Sequence, residues 1–258
     1  MSNKTLIVFG STSSIAKVLL PDLNFEPKQI FSFDRVNSNQ DGNQYIPKAN
    51  QYHLDWSDLE GIEKSISVRL NSFLLEPALV LNFMGFYGDI QRIDELDIED
   101  ALLTNSMNLL PFFLIAKIAK TFPVGTRVIS FSGAGVGGEN LDDSSLGYLA
   151  AKASMAILSE AIDQQLSRHG VRFGLISPGA FPSRMQEVVS QESSNKIPES
   201  RVARAKEVMT GVPSTERLAK LVIFLAENPQ LLGGRTWSAN FDDLTDQGEN
   251  FGKLRRIY

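Results

Sequence analysis

The sequence predicts an α/β fold: a doubly wound, seven-stranded parallel sheet with helices on both faces. Three observations carry this. Short apolar runs rich in β-branched and aromatic residues recur along the 258-residue chain, and such runs read as buried strands. Segments with helical periodicity separate them, and near-continuous strand–helix alternation marks a parallel sheet covered on both sides. No Gly/Ser- or Pro-rich linker interrupts the chain, so one domain over residues 1–241 is expected, followed by a tail over 242–258.

The first apolar run is Thr5–Phe9, stopped by Gly10. Further strands are expected at Gln29–Asp34, Tyr52–Asp55, Ala78–Phe83, Arg127–Ser132, Arg172–Ser177 and Thr236–Ala239. Helical periodicity covers Leu59–Phe73, Ile98–Phe122, Leu146–His169 and Ser214–Glu227, and another helix opens just after Gly10. His169 beside Gly170 suits a helix end, where a hydrogen-bonding side chain and a glycine meet the last carbonyls. Residues 183–213 are polar and read as a lid loop with a short helix between the sixth strand and the last helix. Trp237 is expected at a subunit contact.

Composition narrows the function classes. Lys plus Arg number 25 against 30 Asp plus Glu, a net charge of −5, which argues against the basic stripe of a nucleic-acid binder. With 43% apolar and 21% charged residues, the chain has the balance of a globular protein. Cysteine is absent, which removes disulfides, thiol nucleophiles and thiolate metal sites. His53 and His169 are too few for a histidine-built zinc site. No apolar run reaches the ~18–20 residues of a membrane span, and the start lacks signal-peptide architecture. A cytoplasmic protein with no metal, nucleic-acid or membrane partner is the expectation.

Gly10-Ser11-Thr12-Ser13-Ser14-Ile15-Ala16 follows the first strand and opens a helix. Free backbone N–H groups and the helix dipole favour an anion at such a turn, as for a dinucleotide pyrophosphate. Gly10 makes the tight turn, small Ser14 permits close approach, and Ala16 lets helix and sheet pack. The second strand ends Phe33-Asp34-Arg35, with Asp34 24 residues after Gly10. An acid about 20 residues past the glycine turn accepts hydrogen bonds from the adenosine ribose hydroxyls. Asp34 repels a ribose 2′-phosphate and so favours NAD, whereas Arg35 offers a partner for that phosphate and keeps NADP open.

Tyr148-Leu149-Ala150-Ala151-Lys152 begins a long helical segment. The four-residue spacing puts Tyr148 and Lys152 on one helical face. A lysine charge beside the phenol lowers its pKa from the reference of about 10, so it trades protons nearer neutrality.

Together these residues resemble the short-chain dehydrogenase/reductase family, over nearly the whole chain. Asp55, followed by Trp56, matches the family's aspartate after the third strand, which contacts the adenine. Asn82-Phe83-Met84-Gly85 is similar to the Asn-Asn-Ala-Gly motif ending strand four. Asn108 matches the asparagine of the next helix, 40 residues before Tyr148. Pro178-Gly179-Ala180-Phe181-Pro182-Ser183 resembles the Pro-Gly segment whose later Ser/Thr binds the nicotinamide carboxamide. Two of the three glycines in the family's first turn are replaced, by Ser14 and Ala16. The resemblance implies a Rossmann fold and hydride transfer between a nicotinamide cofactor and a carbonyl or secondary alcohol. The cofactor would be held by Gly10, Ser11, Ser13, Ser14, Ile15, Asp34, Arg35, Asp55, Trp56, Asn82, Phe83, Met84, Pro178, Gly179, Phe181 and Ser183, together with Tyr148 and Lys152.

The resemblance also implies a catalytic set of Tyr148 as acid/base, Lys152 on the nicotinamide ribose, Asn108 in a proton relay, and a serine. Ser132, in Ser130-Phe131-Ser132-Gly133-Ala134-Gly135, is the leading serine and lies 16 residues before Tyr148. An ungapped comparison from the strand instead puts Gly133 in the serine's place, leaving backbone N–H groups, Ser144 or Ser145 as substitutes. Family members assemble as homodimers or homotetramers, and the ending Gly234-Arg235-Thr236-Trp237-Ser238-Ala239 resembles that of members acting in carbohydrate metabolism. Two other readings go with the altered motifs: a non-catalytic NAD(P)-binding sensor or assembly subunit, and a nucleotide-sugar epimerase or dehydratase.

Overall fold

A computed structural model describes residues 5–23, 29–35, 50–54, 58–73, 76–133, 145–192, 196–211, 215–233, 236–240 and 242. Among them are seven strands: β1 (Thr5–Phe9), β2 (Gln29–Arg35), β3 (Asn50–Leu54), β4 (Ala78–Asn82), β5 (Arg127–Phe131), β6 (Arg172–Ser177) and β7 (Thr236–Ser238). The helices are α1 (Ser14–Asp22), α2 (Leu59–Phe73), α3 (Ile98–Ala119), α4 (Leu146–Leu166), α5 (Arg184–Gln191), α6 (Glu199–Thr210) and α7 (Glu216–Glu227). All strand pairs are parallel, in the order β3-β2-β1-β4-β5-β6-β7.

The alternation of side chains along β1 builds two cores at once. Ile7 and Phe9 face one side, where Phe33, Ile66 of α2, Phe112 and Ile115 of α3, and Met155 of α4 pack. Leu6 and Val8 face the other, against Ala16 and Leu19 of α1 and Leu218 and Leu225 of α7. Strands buried on both faces have no polar alternation, which is why they read as unbroken apolar runs. Trp237 belongs to the second core. It is 1% exposed and its indole N–H donates to the Leu231 carbonyl at 3.0 Å, so the expected subunit contact is corrected to a core position.

Element ends follow local chemistry. Asp97 caps α3, its carboxylate accepting from the N–H groups of Glu99 and Asp100. Beyond α4 the chain makes one 3-10 turn, Ser167–His169, and stops at Gly170 with φ of +72°, a conformation that favours glycine. The segment expected as a lid loop carries two helices, α5 and α6, packed on a small cluster of Ile90, Val189, Ile197 and Ala205. Helix α3 is long and apolar enough to cross a membrane by length and composition. Here its Phe112, Ile115 and Ile118 lie in the sheet core, while Leu102, Leu103 and Phe113 are exposed.

One buried ion pair joins helix to sheet. Arg172, opening β6, donates from Nε and Nη2 to Asp163 of α4 at 2.9 and 2.8 Å. Asp163 Oδ1 also accepts the Phe173 N–H at 2.8 Å. The strand order reverses between β1 and β4, and open α/β sheets bind ligands in the crevice beyond the strand ends at such a point.

Candidate active site

The crevice at that reversal is a cleft of about 640 Å³, within the usual range for a small-molecule site. Its first wall is the β1–α1 turn. Gly10 has φ of +77° and its N–H donates to the Phe33 carbonyl at 2.9 Å. A Cβ there would lie 3.1 Å from Met84 N and Cγ, so the turn's shape and its closeness to β4 both call for glycine. Ser13 caps α1, accepting from Ala16 N–H at 3.2 Å. Ser11 is turned inward, its hydroxyl accepting from Ser32 at 2.8 Å. Thr12, Ser13, Ser14 and Ile15 line the cleft, presenting a helix N-terminus to whatever anion enters.

The second wall is the end of β4. Asn82 donates from Nδ2 to Ser130 Oγ at 3.2 Å and accepts the Met84 N–H at 3.2 Å. It therefore fixes the exit of β4 against β5. Phe83 is buried and stacks on Phe131, ring centroids 4.5 Å apart. Asp34 and Arg35 end β2 in register with His53 and Leu54. Their side chains, and the whole of Asp55 and Trp56, lie outside the described residues. Across the cleft, Pro178 is buried, Gly179 has φ of +87°, and Phe181 enters the core. Ser183 lines the cleft and caps α5, accepting from Gln186 N–H at 3.3 Å.

Tyr148 and Lys152 stand one turn apart on α4, both buried and both lining the cleft. The Lys152 ammonium is 5.4 Å from the Tyr148 ring centroid. It donates to the Phe131 carbonyl at 3.3 Å and has Met155 Sδ at 3.8 Å. Burial away from water pushes its pKa down to about 8. Asn108 is buried and pins the loop that follows β4. Its Oδ1 accepts Phe86 N–H at 3.2 Å, and its Nδ2 donates to the carbonyls of Phe86 at 2.6 Å and Thr104 at 2.8 Å. A Cβ on Gly85 would lie 3.4 Å from Asn108 Oδ1 and 3.6 Å from Lys152 Nζ, so the same loop roofs both residues.

At the serine position the structure places Ser132 and Gly133 in different settings beside the cleft. Ser132 is buried in the cleft wall, and its hydroxyl donates to the Gly133 carbonyl at 3.4 Å. The residue facing the phenol is Gly133, where a Cβ would lie 2.3 Å from the Tyr148 oxygen. The ungapped comparison carried this signal. Ser145 Oγ donates to the Tyr87 carbonyl at 2.7 Å, while Ser144 and Ala134-Gly135 lie outside the described residues. Tyr87, whose ring meets Tyr148 edge-on at 5.2 Å, is missed by sequence reasoning, because an aromatic in a loop has no periodicity to betray it.

These residues fit a dinucleotide. A helix N-terminus lies at one end of the cleft, and at the other a buried ammonium has one carbonyl and one thioether as its neighbours.

Residues 36–232 match the family described as enoyl-(acyl carrier protein) reductase. The chain is 25% identical over 241 residues to the 3-oxoacyl-[acyl-carrier-protein] reductase FabG of Haemophilus influenzae, covering 88% of this chain and 92% of that one. It is 26% identical over 238 residues to the oxidoreductase YxbG of Bacillus subtilis, covering 81% and 83%. Among solved structures, a short-chain dehydrogenase/reductase of Saccharomyces cerevisiae superposes with a TM-score of 0.75 at 15% identity, over 94% of this chain and 97% of that one. An NAD+-bound xylitol dehydrogenase superposes with a TM-score of 0.70 at 17% identity, over 91% and 96%. With the reversal-point cleft and the Tyr148–Lys152 pair, these likenesses make the chain a member of the short-chain dehydrogenase/reductase family, an oxidoreductase that acts with NAD(P).

Proposed function

We propose that the protein transfers hydride between NAD and a small carbonyl compound or its secondary alcohol, with Tyr148 as the acid/base. The observation that carries this is the pairing of Tyr148 and Lys152, one turn apart and buried at the cleft. The bound nicotinamide supplies or accepts the hydride. In the reductive direction Tyr148 Oη gives its proton to the carbonyl oxygen as negative charge develops there. Protonated Lys152 favours the ionised phenol electrostatically and holds the nicotinamide ribose. Asn108 keeps the 85–88 loop in place above both groups. Ser132 gives its hydroxyl to the bound ligand from the cleft wall, and the phenol rests on Gly133. The β1–α1 turn, with Ser13 and Ser14, holds the pyrophosphate, and Ser183 faces the nicotinamide end. Asp34 favours NAD over NADP, and the cytoplasm, where these cofactors circulate, is the expected site of action.

The sensor reading lacks comparable support, since a protein that only binds has no use for a buried Tyr–Lys pair, and so does the nucleotide-sugar reading, since the matched sequence relatives are a reductase and an oxidoreductase. Fluorescence titration with NADH and with NADPH tests the cofactor. Tighter NADH binding is expected, and tighter NADPH binding would transfer the specificity role to Arg35. Tyr148→Phe should bind NADH within about twofold of wild type and lose carbonyl reduction by at least about 10²-fold. Equal turnover by that variant would overturn the assignment.

A second copy of the chain is the proposed macromolecular partner. Leu102, Leu103 and Phe113 of α3 and Ile157 of α4 are all exposed, an apolar face that a homodimer or homotetramer would cover.

A further inference from the structure

Tyr87 lies between two parts of the molecule that must act together. One side of its ring meets the Tyr148 phenol edge-on, centroids 5.2 Å apart with the planes at 67°. It also packs on the cluster of Ile90, Val189, Ile197 and Ala205 that seats α5 and α6. Its backbone is held from both directions. Ser145 Oγ, in the residue just before α4, donates to the Tyr87 carbonyl at 2.7 Å. Asn108 grips both backbone groups of Phe86. Gly88, directly after, has φ of +75° and lies so close to Thr104 that a Cβ would fall 2.1 Å from its hydroxyl. A ring held this firmly loses little freedom when a ligand packs on it, so it orders a partner at low entropic cost.

The surfaces around it are chiefly apolar. Phe86, Met185 and Val188 line the cleft with Tyr87. Besides the buried Lys152, the charged residues in that lining, Asp89 and Arg184, are exposed, and Arg184 is already paired with Glu187 at 3.0 Å. A polyhydroxylated substrate entering here would leave hydroxyl groups against methyl and aromatic carbon, at the cost of lost hydration.

Resting on the dehydrogenase reading, we propose that Tyr87 is the specificity-determining and positioning residue of this site. Its ring is the wall that receives the body of a ring-bearing apolar ketone, or of the matching alcohol, and aligns the reacting carbon beneath Tyr148.

The test uses the full chain with bound NADH and two probes, 4-tert-butylcyclohexanone and dihydroxyacetone. Saturation-transfer NMR reads their binding, and loss of NADH absorbance reads their reduction. The cyclic ketone should bind and be reduced in preference to the ketose. Tyr87→Phe should keep both properties within about twofold. Tyr87→Ala should weaken the cyclic ketone by about three- to tenfold and lower kcat as well as raise KM, with NADH affinity held near wild type. Unchanged NADH affinity separates the ring's role at the substrate from general stability, and rescue by phenylalanine assigns that role to the ring and not to its hydroxyl. Preference for dihydroxyacetone, or wild-type behaviour of Tyr87→Ala, would overturn the proposal while leaving the dehydrogenase reading intact. Failure of the wild-type protein to bind NADH would overturn that reading and this proposal together.

Discussion

Gly133 and the Tyr148 hydroxyl are in contact, and a Cβ at position 133 would stand 2.3 Å from that oxygen and 2.8 Å from the ring atoms Cε1 and Cζ. The phenol therefore leans into space that any other residue at 133 would fill. Gly133→Ala should displace the phenol and lower kcat by about 10²-fold, in line with the effect of ångström-scale misplacement. NADH affinity should change less than about threefold, because the residues proposed to hold the pyrophosphate and the adenosine lie elsewhere along the cleft. Steady-state kinetics with parallel NADH titration check this, and an alanine variant with full activity would show that the phenol works from another position.

Lys152 has a pKa of about 8 through burial, below its ordinary value near 10.5. As pH rises through about 8 the free protein loses this charge, so NADH affinity and kcat/KM should fall across that range. Lys152→Met should be weak throughout and lack that inflection. Fluorescence titration from pH 6.5 to 9.5 reads both.

The same burial acts on stability. The unfolded chain binds this proton between pH 8 and 10.5 and the folded chain does not, so the contribution of Lys152 to stability rises with pH over that window. Below about pH 8 its full cost is present. Lys152→Met should raise the Tm of the ligand-free protein at pH 7 by about 2–4 °C, and less at pH 10. Differential scanning calorimetry at the two pH values checks the sign.

Asp163→Ala removes the carboxylate that takes two bonds from Arg172 and one from Phe173 N–H. The partners are left in a largely buried place, so stability should fall by about 3 kcal/mol. Adding Arg172→Leu should recover part of the loss, since it removes the stranded charge. Urea unfolding of the single and double variants measures both effects.

Leu103→Glu with Ile157→Glu places charge on the exposed apolar face of α3 and α4. Light scattering should give an oligomer for wild type and a smaller species for the variant, with far-UV circular dichroism unchanged. A monomeric wild type would remove the assembly proposal.

The fold was legible because its signal is redundant. Thr5–Phe9, Ala78–Asn82 and Arg127–Phe131 are mainly apolar, and each is followed in the sequence by a helical period, so chain order alone implied the parallel sheet. Boundaries drifted where local rules compete: α3 stops at Ala119, ahead of Pro123, and α4 tightens into a 3-10 turn before Gly170. Tyr148 and Lys152 were legible because a four-residue spacing sets a common helical face, and Asn108 because it matched the family's asparagine on the preceding helix. At the serine position adjacent residues leaving the strand point to opposite sides, so Gly133 lies against the phenol while Ser132 lines the cleft wall. Tyr87 and the grip of Ser145 on its carbonyl join residues 58 apart, a relation that no local pattern encodes. The second of the two helices after β6 was hidden for a related reason, since α5 and α6 each bury a single apolar residue, Val189 and Ala205, and look polar on paper.

The clamp between Asp163 and Arg172 has a reach beyond its own energy. Asp163 lies fifteen residues along α4 from Tyr148, about 22 Å at the rise of an α-helix. A helix is stiff along its axis, so fastening one end to the entry of β6 sets where the other end stops. The phenol's depth in the cleft is thus gauged from the opposite end of the strands, like the tip of a rod seated in a socket. Loosening that socket would let the rod slide, and the reacting oxygen would lose its alignment although nothing within reach of the substrate had changed.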